Sequence, residues 1–330
     1  MAGPFSQGHE GRQGKRMTRG TVSYIGQRLV LIAVTTVLVS SIVFLLLHQI
    51  PGSAFLNETR TSPESLAANL RHYGLDKPLP QQYVNWFTGV LHGDLGEALK
   101  NRGVYITPLL VREASVSATV GFYALLVTIG LGLILGIIAA LRQNTWVDYI
   151  ASSASVVGYS IPSFVLAIFG LLIAGHYFYI WTGGTFYYVP GWGKLEQIPV
   201  PALALGLPYA SYVARLTRAS MLETIRTDYV RTAWAKGLKA RVVVLRHALR
   251  NALIPVVTIL GPLITGIITG SVVIENIFGI PGLGKEFITS ILARDYNIVI
   301  GVFTFYAALV GLANLAVDVI YPVLDPRIRY

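Results

Sequence analysis

Residues Asp228 to Asn251 read DYVRTAWAKGLKARVVVLRHALRN. The stretch is a basic, helix-compatible island between apolar runs, broken once at Gly237. Asp228 suits a helix start, both as a cap and as a complement to the positive end of the helix dipole. Tyr229, Val230, Ala233 and Trp234 then recur at helical spacing and make one apolar face. Gly237 permits a left-handed exit. A second helical run, Val242–Leu253, leads into the next apolar stretch, with Arg246, His247 and Arg250 near its membrane end. A chain that only anchors something has no need of an ordered polar knuckle in its middle, whereas a chain that receives force from a soluble partner does. The competing reading is an amphipathic helix lying in the membrane interface within a positively charged loop, and composition alone leaves both open.

The surrounding chain is built for lipid. Of 330 residues, 53% are hydrophobic and 13% charged, against about 25% charged in soluble domains. Apolar runs fall at Leu29–Leu47, Ala114–Leu141, Tyr149–Trp181, Ile198–Ala214, Asn251–Ile274 and Asn297–Val317. A crossing helix needs about 20 apolar residues. Ile198–Ala214 is slightly short and reaches full length toward Met221 if Arg215 and Arg218 snorkel. Tyr149–Trp181 exceeds one crossing, which a tilt, a kink at Pro162 or an extension past the membrane would absorb. The fold class expected is an all-α polytopic membrane protein with six crossings.

Charge sets the orientation. The net charge is +10, and most of the 26 Lys and Arg residues fall in the segments that are inner if the N-terminus is inside. That bias predicts N-in and C-in ends and makes a nucleic-acid partner unnecessary. The expected organisation is a tail over 1–24, a first span over 25–50, an outer cap over 51–113, and a core over 114–330 with an inner segment at 223–250. Residues 1–28 are too polar for a signal-peptide core. Met17 opens a plausible start of its own, so residues 1–16 read either as a disordered extension or as an added remnant. The chain has no cysteine, which excludes disulfides, Cys-metal sites and thiol nucleophiles.

The outer loops carry weaker signals. Pro51 to Glu113 is a long polar insertion, read as a cap that meets a substrate-delivering protein or as a tethered decoration. The loop from Tyr177 to Trp192 is rich in Tyr and Trp, as an interfacial aromatic belt would be. Gly279 to Lys285 nearly spells the phosphate-binding pattern G-x-x-x-x-G-K-[ST]. Glu286 replaces the required hydroxyl, however, and no strand precedes it, so a nucleotide site is rejected there. Within the spans, Pro162 frees backbone carbonyls, and Ser160 and Ser163 beside it either face a pathway or bond back to their own helix. Glu275 reads as an outer-gate carboxylate for a peptide ammonium or as an interfacial group. The pairs Gly132/Gly136 and Gly266/Gly270 allow close helix approach, within the chain or between subunits.

The chain also resembles a known family. Arg231-Thr232-Ala233-Trp-Ala-Lys-Gly237 falls on the pattern E-A-A-x-x-x-G, the inner loop of permease subunits in ATP-binding-cassette importers, with Arg231 in place of the Glu. Tyr-Val-Arg-Thr-Ala-x-Ala-Lys-Gly-Leu, followed by Arg-His-Ala-Leu-Arg-Asn-Ala-Leu-Ile-Pro255, resembles the dipeptide/oligopeptide branch. So do Gly74-Leu-Asp-x-Pro-Leu-x-x-Gln82-Tyr83, Gly93-Asp-Leu-Gly96, Ser160-Ile-Pro-Ser-Phe164, Ala214-Arg-Leu-Thr-Arg218, Pro281-Gly-Leu-Gly284, Arg294-Asp-Tyr296 and the terminal Leu-Asp-Pro-Arg-Ile-Arg-Tyr330. Glu97 departs from the small or hydroxyl residue of the pattern.

The resemblance implies a type I importer permease in a prokaryotic cytoplasmic membrane. It further implies a homologous second permease, two cytoplasmic ATPase subunits that bind ATP and Mg, an extracytoplasmic binding protein, and a peptide substrate. This chain would bind no cofactor. Asp228, Tyr229, Val230, Arg231, Thr232, Ala233, Trp234, Lys236, Gly237, Arg246 and His247 would dock the ATPase, while Ser160, Pro162, Ser163 and Glu275 would belong to the pathway. His247 has no second metal ligand at ligand spacing. The alternative function is a secondary transporter or channel subunit, which would be expected to show inverted repeats or paired ionisable groups at mid-membrane. An intramembrane enzyme lacks a motif, since no H-E-x-x-H occurs and His48 and His176 have no nucleophile beside them. Dipeptides, longer peptides, nickel chelates and sugars all stay open as cargo.

Overall fold

The computed structural model describes residues 19–50, 63–185 and 187–324. The expected extension over 1–16, the start of the outer cap and the end of the Leu324–Tyr330 motif lie outside the described residues. The described chain is helical, and its only ladder pairing is one antiparallel bridge between Glu97 and Tyr105.

In chain order, α1 spans Arg19–Gln49, α2 Pro63–His72, α3 Leu79–Leu91, α4 Ile106–Leu141, α5 Trp146–Ser160 and α6 Ser163–Leu172. A π turn over Ile173–Tyr177 continues α6 into α7, Phe178–Trp181. Then come α8 (Pro199–Ile225), α9 (Asp228–Ala235), α10 (Ala240–Val242), α11 (Leu249–Ala252) and α12 (Ile254–Thr258). Last are α13 (Leu260–Phe278), α14 (Leu283–Ala293) and α15 (Tyr296–Leu324). Among the described residues, five helical segments are long and apolar enough to cross a membrane: Ser23–Gln49, Ile106–Leu141, Ser163–Trp181, Leu260–Phe278 and Tyr296–Val319.

Three expected boundaries move. The long third run is two helices meeting at Ile161–Pro162, because Pro162 has no N–H and forces Ile161 into an extended conformation (φ −84°, ψ 124°). The short fourth run extends through Arg215 and Arg218 as α8, a helix of 27 residues that keeps Pro208 in its interior. The fifth run, expected from Asn251, fragments first. Pro255 stands near the start of α12 and Pro262 near the start of α13, and the uninterrupted apolar helix begins at Leu260.

The most extensive interface joins α4 to α8. It is close because α4 carries glycine where α8 passes. A Cβ on Gly132 would lie 2.7 Å from Val213 Cβ, and one on Gly136 would lie 2.6 Å from both the Ala214 carbonyl oxygen and Thr217 Cβ. These glycines serve packing within the chain. Gly266 likewise faces Tyr209, whose hydroxyl would be 2.8 Å from an added Cβ. Gly136→Val is therefore expected to push α4 off α8 and destabilise the fold by about 2–3 kcal/mol, read as a lower unfolding midpoint in detergent. An unchanged midpoint would show that α4 does not depend on this approach.

The described part of the segment read as an outer cap packs on the spans. Tyr83 of α3 shares a hydrogen bond with Ser41 of α1 (2.7 Å), and Gln82 meets His48 (3.2 Å). The Phe44 ring packs edge-on to Tyr83 with centroids 5.4 Å apart. Glu97 accepts from the Gly103 amide and pairs with His72, and these contacts hold its carboxyl below the ordinary Glu value. Its backbone carbonyl accepts from Asn297 (3.0 Å), and the Lys100 amide donates to Asp295 (2.9 Å). The polar Glu97 thus belongs to a brace between the cap and the start of α15.

Candidate functional site

The knuckle forms as a helix, a left-handed turn and a returning helix. Asp228 is the first helical residue, and the capping position falls to Thr227. The expectation that Asp228 itself caps is corrected. Thr227 does not cap through its side chain either, since its hydroxyl donates back to the Thr224 carbonyl (2.6 Å). Asp228 contributes through the dipole and through a loose pair with Arg231 (3.8 Å) on the exposed surface. Thr232 donates to the Asp228 carbonyl (2.8 Å).

Gly237 ends α9 at φ +75°. Its amide donates to the Trp234 carbonyl (2.9 Å) and the Leu238 amide to the Ala233 carbonyl (3.4 Å). This pair of bonds is the glycine-closed helix end that the sequence suggested.

The apolar face divides in two. Val230 and Ala233 are buried against Val243 of the return arm and fix α9 to the body. Tyr229 and Trp234 stay 43% and 45% exposed. Arg231, Thr232 and Lys236 are exposed beside them. The Tyr229 hydroxyl accepts from Asn251 Nδ2 (2.7 Å) and faces the His247 carbonyl (3.4 Å). His247 therefore contributes backbone to the knuckle. Neither its ring nor the Arg246 guanidinium makes a hydrogen bond or ion pair among the described residues.

The return arm is not the plain α-helix expected over Val242–Leu253. Val243–Ala248 forms a π turn between α10 and α11. A cavity of about 320 Å³ lies between the inner ends of α4 and α8 and the knuckle, with Trp234, Ile225 and Val244 on its walls.

The knuckle is continuous with the spans. Met221 of α8 packs with Ala140 of α4 and with Ala248 and Ala252 of the return arm. Close by, Arg218 forks onto Asp148, with Nε 2.6 Å from Oδ1 and the second nitrogen 2.8 Å from Oδ2. The Asn144 amide donates to Oδ2 as well (3.0 Å), from a residue at φ +61°. The Asp148 side chain is 3% exposed. This pair locks the inner turn, the start of α5 and the inner half of α8 into one unit. Sequence reading took Arg218 only as a family match and a topology charge. The lone Asp148 beside the inner turn was the available signal.

Ser160, Pro162 and Ser163 share the α5–α6 junction, whereas Glu275 is engaged by the start of α14. Ser160 is exposed and donates to its own helix at the Val156 carbonyl (2.8 Å), while Pro162 and Ser163 form the break before α6. Glu275 is fully buried. Its Oε2 accepts from the amides of Gly284 (2.7 Å) and Lys285 (3.3 Å) at the start of α14. The expectation of an interfacial or gate-facing carboxylate is corrected: glycines at 282 and 284 let the α14 N-terminus close directly over it.

The described body is helical and apolar enough to cross a membrane, and it carries a short helix fixed by Val230 and Ala233 that presents Tyr229 and Trp234. The chain belongs to the binding-protein-dependent transport system inner membrane components, whose family model matches residues 132–330. The N-terminal model of the same systems matches residues 21–109. The dipeptide transport system permease protein DppB of Bacillus subtilis is 39% identical over 307 residues, covering 93% of this chain and 97% of the relative. The oligopeptide transport system permease protein OppB of Escherichia coli is 39% identical over 298 residues, covering 90% and 95%. Among solved structures, an inward-facing form of the MetNI methionine ABC transporter matches with a TM-score of 0.54 at 19% identity, over 66% of this chain and 96% of that one. This last likeness shows the fold alone.

Proposed function

We propose that this chain is the membrane-spanning permease subunit of an ATP-driven importer of di- or oligopeptides. It crosses the membrane six times with both ends inside, α8 being the fourth crossing in chain order. It pairs with a homologous second permease, receives peptide from an extracytoplasmic binding protein, and rests on two ATPase subunits that hold ATP and Mg. It has no nucleotide site of its own. The peptide assignment rests on the relatives' substrates and on the extent of the identity.

One observation carries the mechanical part. Val230 and Ala233 bind α9 to the body while Tyr229, Arg231 and Trp234 face outward, so a partner gripping the exposed side moves α8 through the buried side. Nucleotide drives transport only if it binds the two permease states unequally, and this connection is how such a difference reaches the pathway.

The test is the double variant Arg231→Ala/Trp234→Ala in the complete complex. ATPase subunits are expected to co-purify at least tenfold less, and peptide uptake to fall in parallel, while the second permease stays bound. Full ATPase retention would overturn the docking role. Retention together with normal uptake of a non-peptide cargo would overturn the peptide assignment separately.

A further inference from the structure

Arg215 lies deep in the membrane body without a counter-charge. It sits on α8 one turn outward of Arg218, which Asp148 neutralises. Among the described residues Arg215 makes no ion pair and no hydrogen bond. Its guanidinium lies over the Tyr159 ring, 4.7 Å from the centroid, and Tyr159 packs beside Tyr212 at 5.9 Å.

Depth follows from helix geometry. Asp148 marks the inner start of α5, and from there to Tyr159 the helix rises about 16 Å. The hydrocarbon core is about 30 Å thick, so the Tyr159 backbone lies about half-way across it and the ring, tilted back toward the start of α5, lies inside the span somewhat inward of that level. Side chains on a helix tilt toward its N-terminus. On α8 that direction is outward, so Arg215 extends toward the midplane instead of snorkelling to the inner surface as its sequence position suggested.

A cation at this depth is costly against lipid and faces protein or a water-filled cavity. The surface around it is open in the single chain. Tyr159 is 53% exposed, Tyr212 is 36% exposed, and Ser160 is exposed beside them. The patch holds hydroxyls and no carboxylate. Directly beyond it α5 breaks, and Pro162 offers no N–H to the Gly158 carbonyl. A cation resting on an aromatic face keeps its fork of N–H donors available.

Resting on the peptide-import reading above, we infer that Arg215, held on Tyr159, is a transient binding site for the C-terminal carboxylate of the transported peptide. Tyr212 and Ser160 line the same wall. Such a site must bind and release, which fits a cation whose only fixed support is a ring.

The absence of cysteine in this chain makes the test direct. Arg215→Cys is prepared in the complete complex, with reactive cysteines removed from the other subunits, and trialanine import is followed in proteoliposomes. Import is expected to fall at least tenfold, with basal ATP hydrolysis and second-permease binding retained. A trimethylammonium thiosulfonate reagent should restore import to within about threefold of wild type. A sulfonate reagent of similar size should not restore it, and trialanine presented by the binding protein should slow labelling. Arg215→Lys should keep most of the activity.

Equal effects of the two reagents, or import unchanged by the substitution, would overturn the inference. Loss of the second permease from Arg215→Cys would overturn it as well, by assigning Arg215 to a partner carboxylate. If the wild-type complex imports a non-peptide cargo and no trialanine, the peptide reading itself fails, and this inference fails with it.

Discussion

Arg218→Ala is expected to lower the stability of the subunit by about 2–4 kcal/mol, toward the lower end of the range for losing one partner of a buried pair because the arginine side chain is itself 30% exposed. The midpoint of thermal unfolding in detergent should drop by roughly 3–6 °C. The cause is the acid left behind. Asp148 would keep its place under α8 with the Asn144 amide and Ser152 as its remaining donors, a buried charge with no counter-ion. The double variant Asp148→Ala/Arg218→Ala removes that charge and should recover part of the loss. If the double variant instead loses the full sum of the two single changes, the two residues are uncoupled and the lock described for the inner turn does not exist.

Gly284→Ala should be more damaging still. The new methyl would collide with Val272 Cα, and would lie 3.0 Å from the Val272 amide nitrogen and 2.9 Å from Glu275 Oε2. Backbone cannot step aside as a side chain does, so the N-terminus of α14 must lift. Two effects combine: the overpacking itself, about 1–3 kcal/mol, and the loss of amide donors to a fully buried carboxylate, about 1–3 kcal/mol or more. A total near 3–5 kcal/mol would leave little folded subunit in the membrane. Gly130→Ala is the matched control, since an added Cβ there meets nothing within 4 Å and alanine is the better helix former. Equal yields and equal unfolding midpoints for the two variants would show that α14 does not sit over Glu275 as described.

The contrast between these sites explains what the sequence disclosed. The apolar runs announced the membrane class because lipid demands length and composition over a long stretch. The knuckle was legible at Gly237, since few residues adopt φ +75°, and in the spacing of Val230 and Ala233. Spacing could not say that Tyr229 and Trp234 would remain outside while their neighbours turned in, because that depends on where the return arm with Val243 comes back.

Pairings across long separations were hidden for the same reason. Nothing local links Asp148 to Arg218, Asn297 to the Glu97 carbonyl, or Glu275 to a helix that starts beyond a glycine–proline turn. Glu275 was misjudged because its neighbourhood in sequence is the end of a span, whereas its neighbourhood in space is the amide end of α14. Arg215 was taken as a snorkelling charge because the apolar run Ile198–Ala214 needed to extend past it to span. Only the Tyr159 ring beneath its guanidinium shows it turned along the span.

The junction at Ile161–Pro162 bears on how the third crossing bends. Lipid provides no water to replace a ruptured backbone bond, so an intact helix in the bilayer resists folding over. Here the ladder is interrupted from the outset: Pro162 has no N–H, and among the described residues neither the Ser163 nor the Phe164 amide bonds back to α5. The inner piece is fastened to α8 by the Arg218 fork, and the outer piece packs through Ala167 and Leu171 in a cluster that includes Ala204 and Leu205 near the other end of α8. Flexure at that joint breaks no helical hydrogen bond already made, which makes it the point where this crossing bends against α8 with the smallest loss of backbone enthalpy.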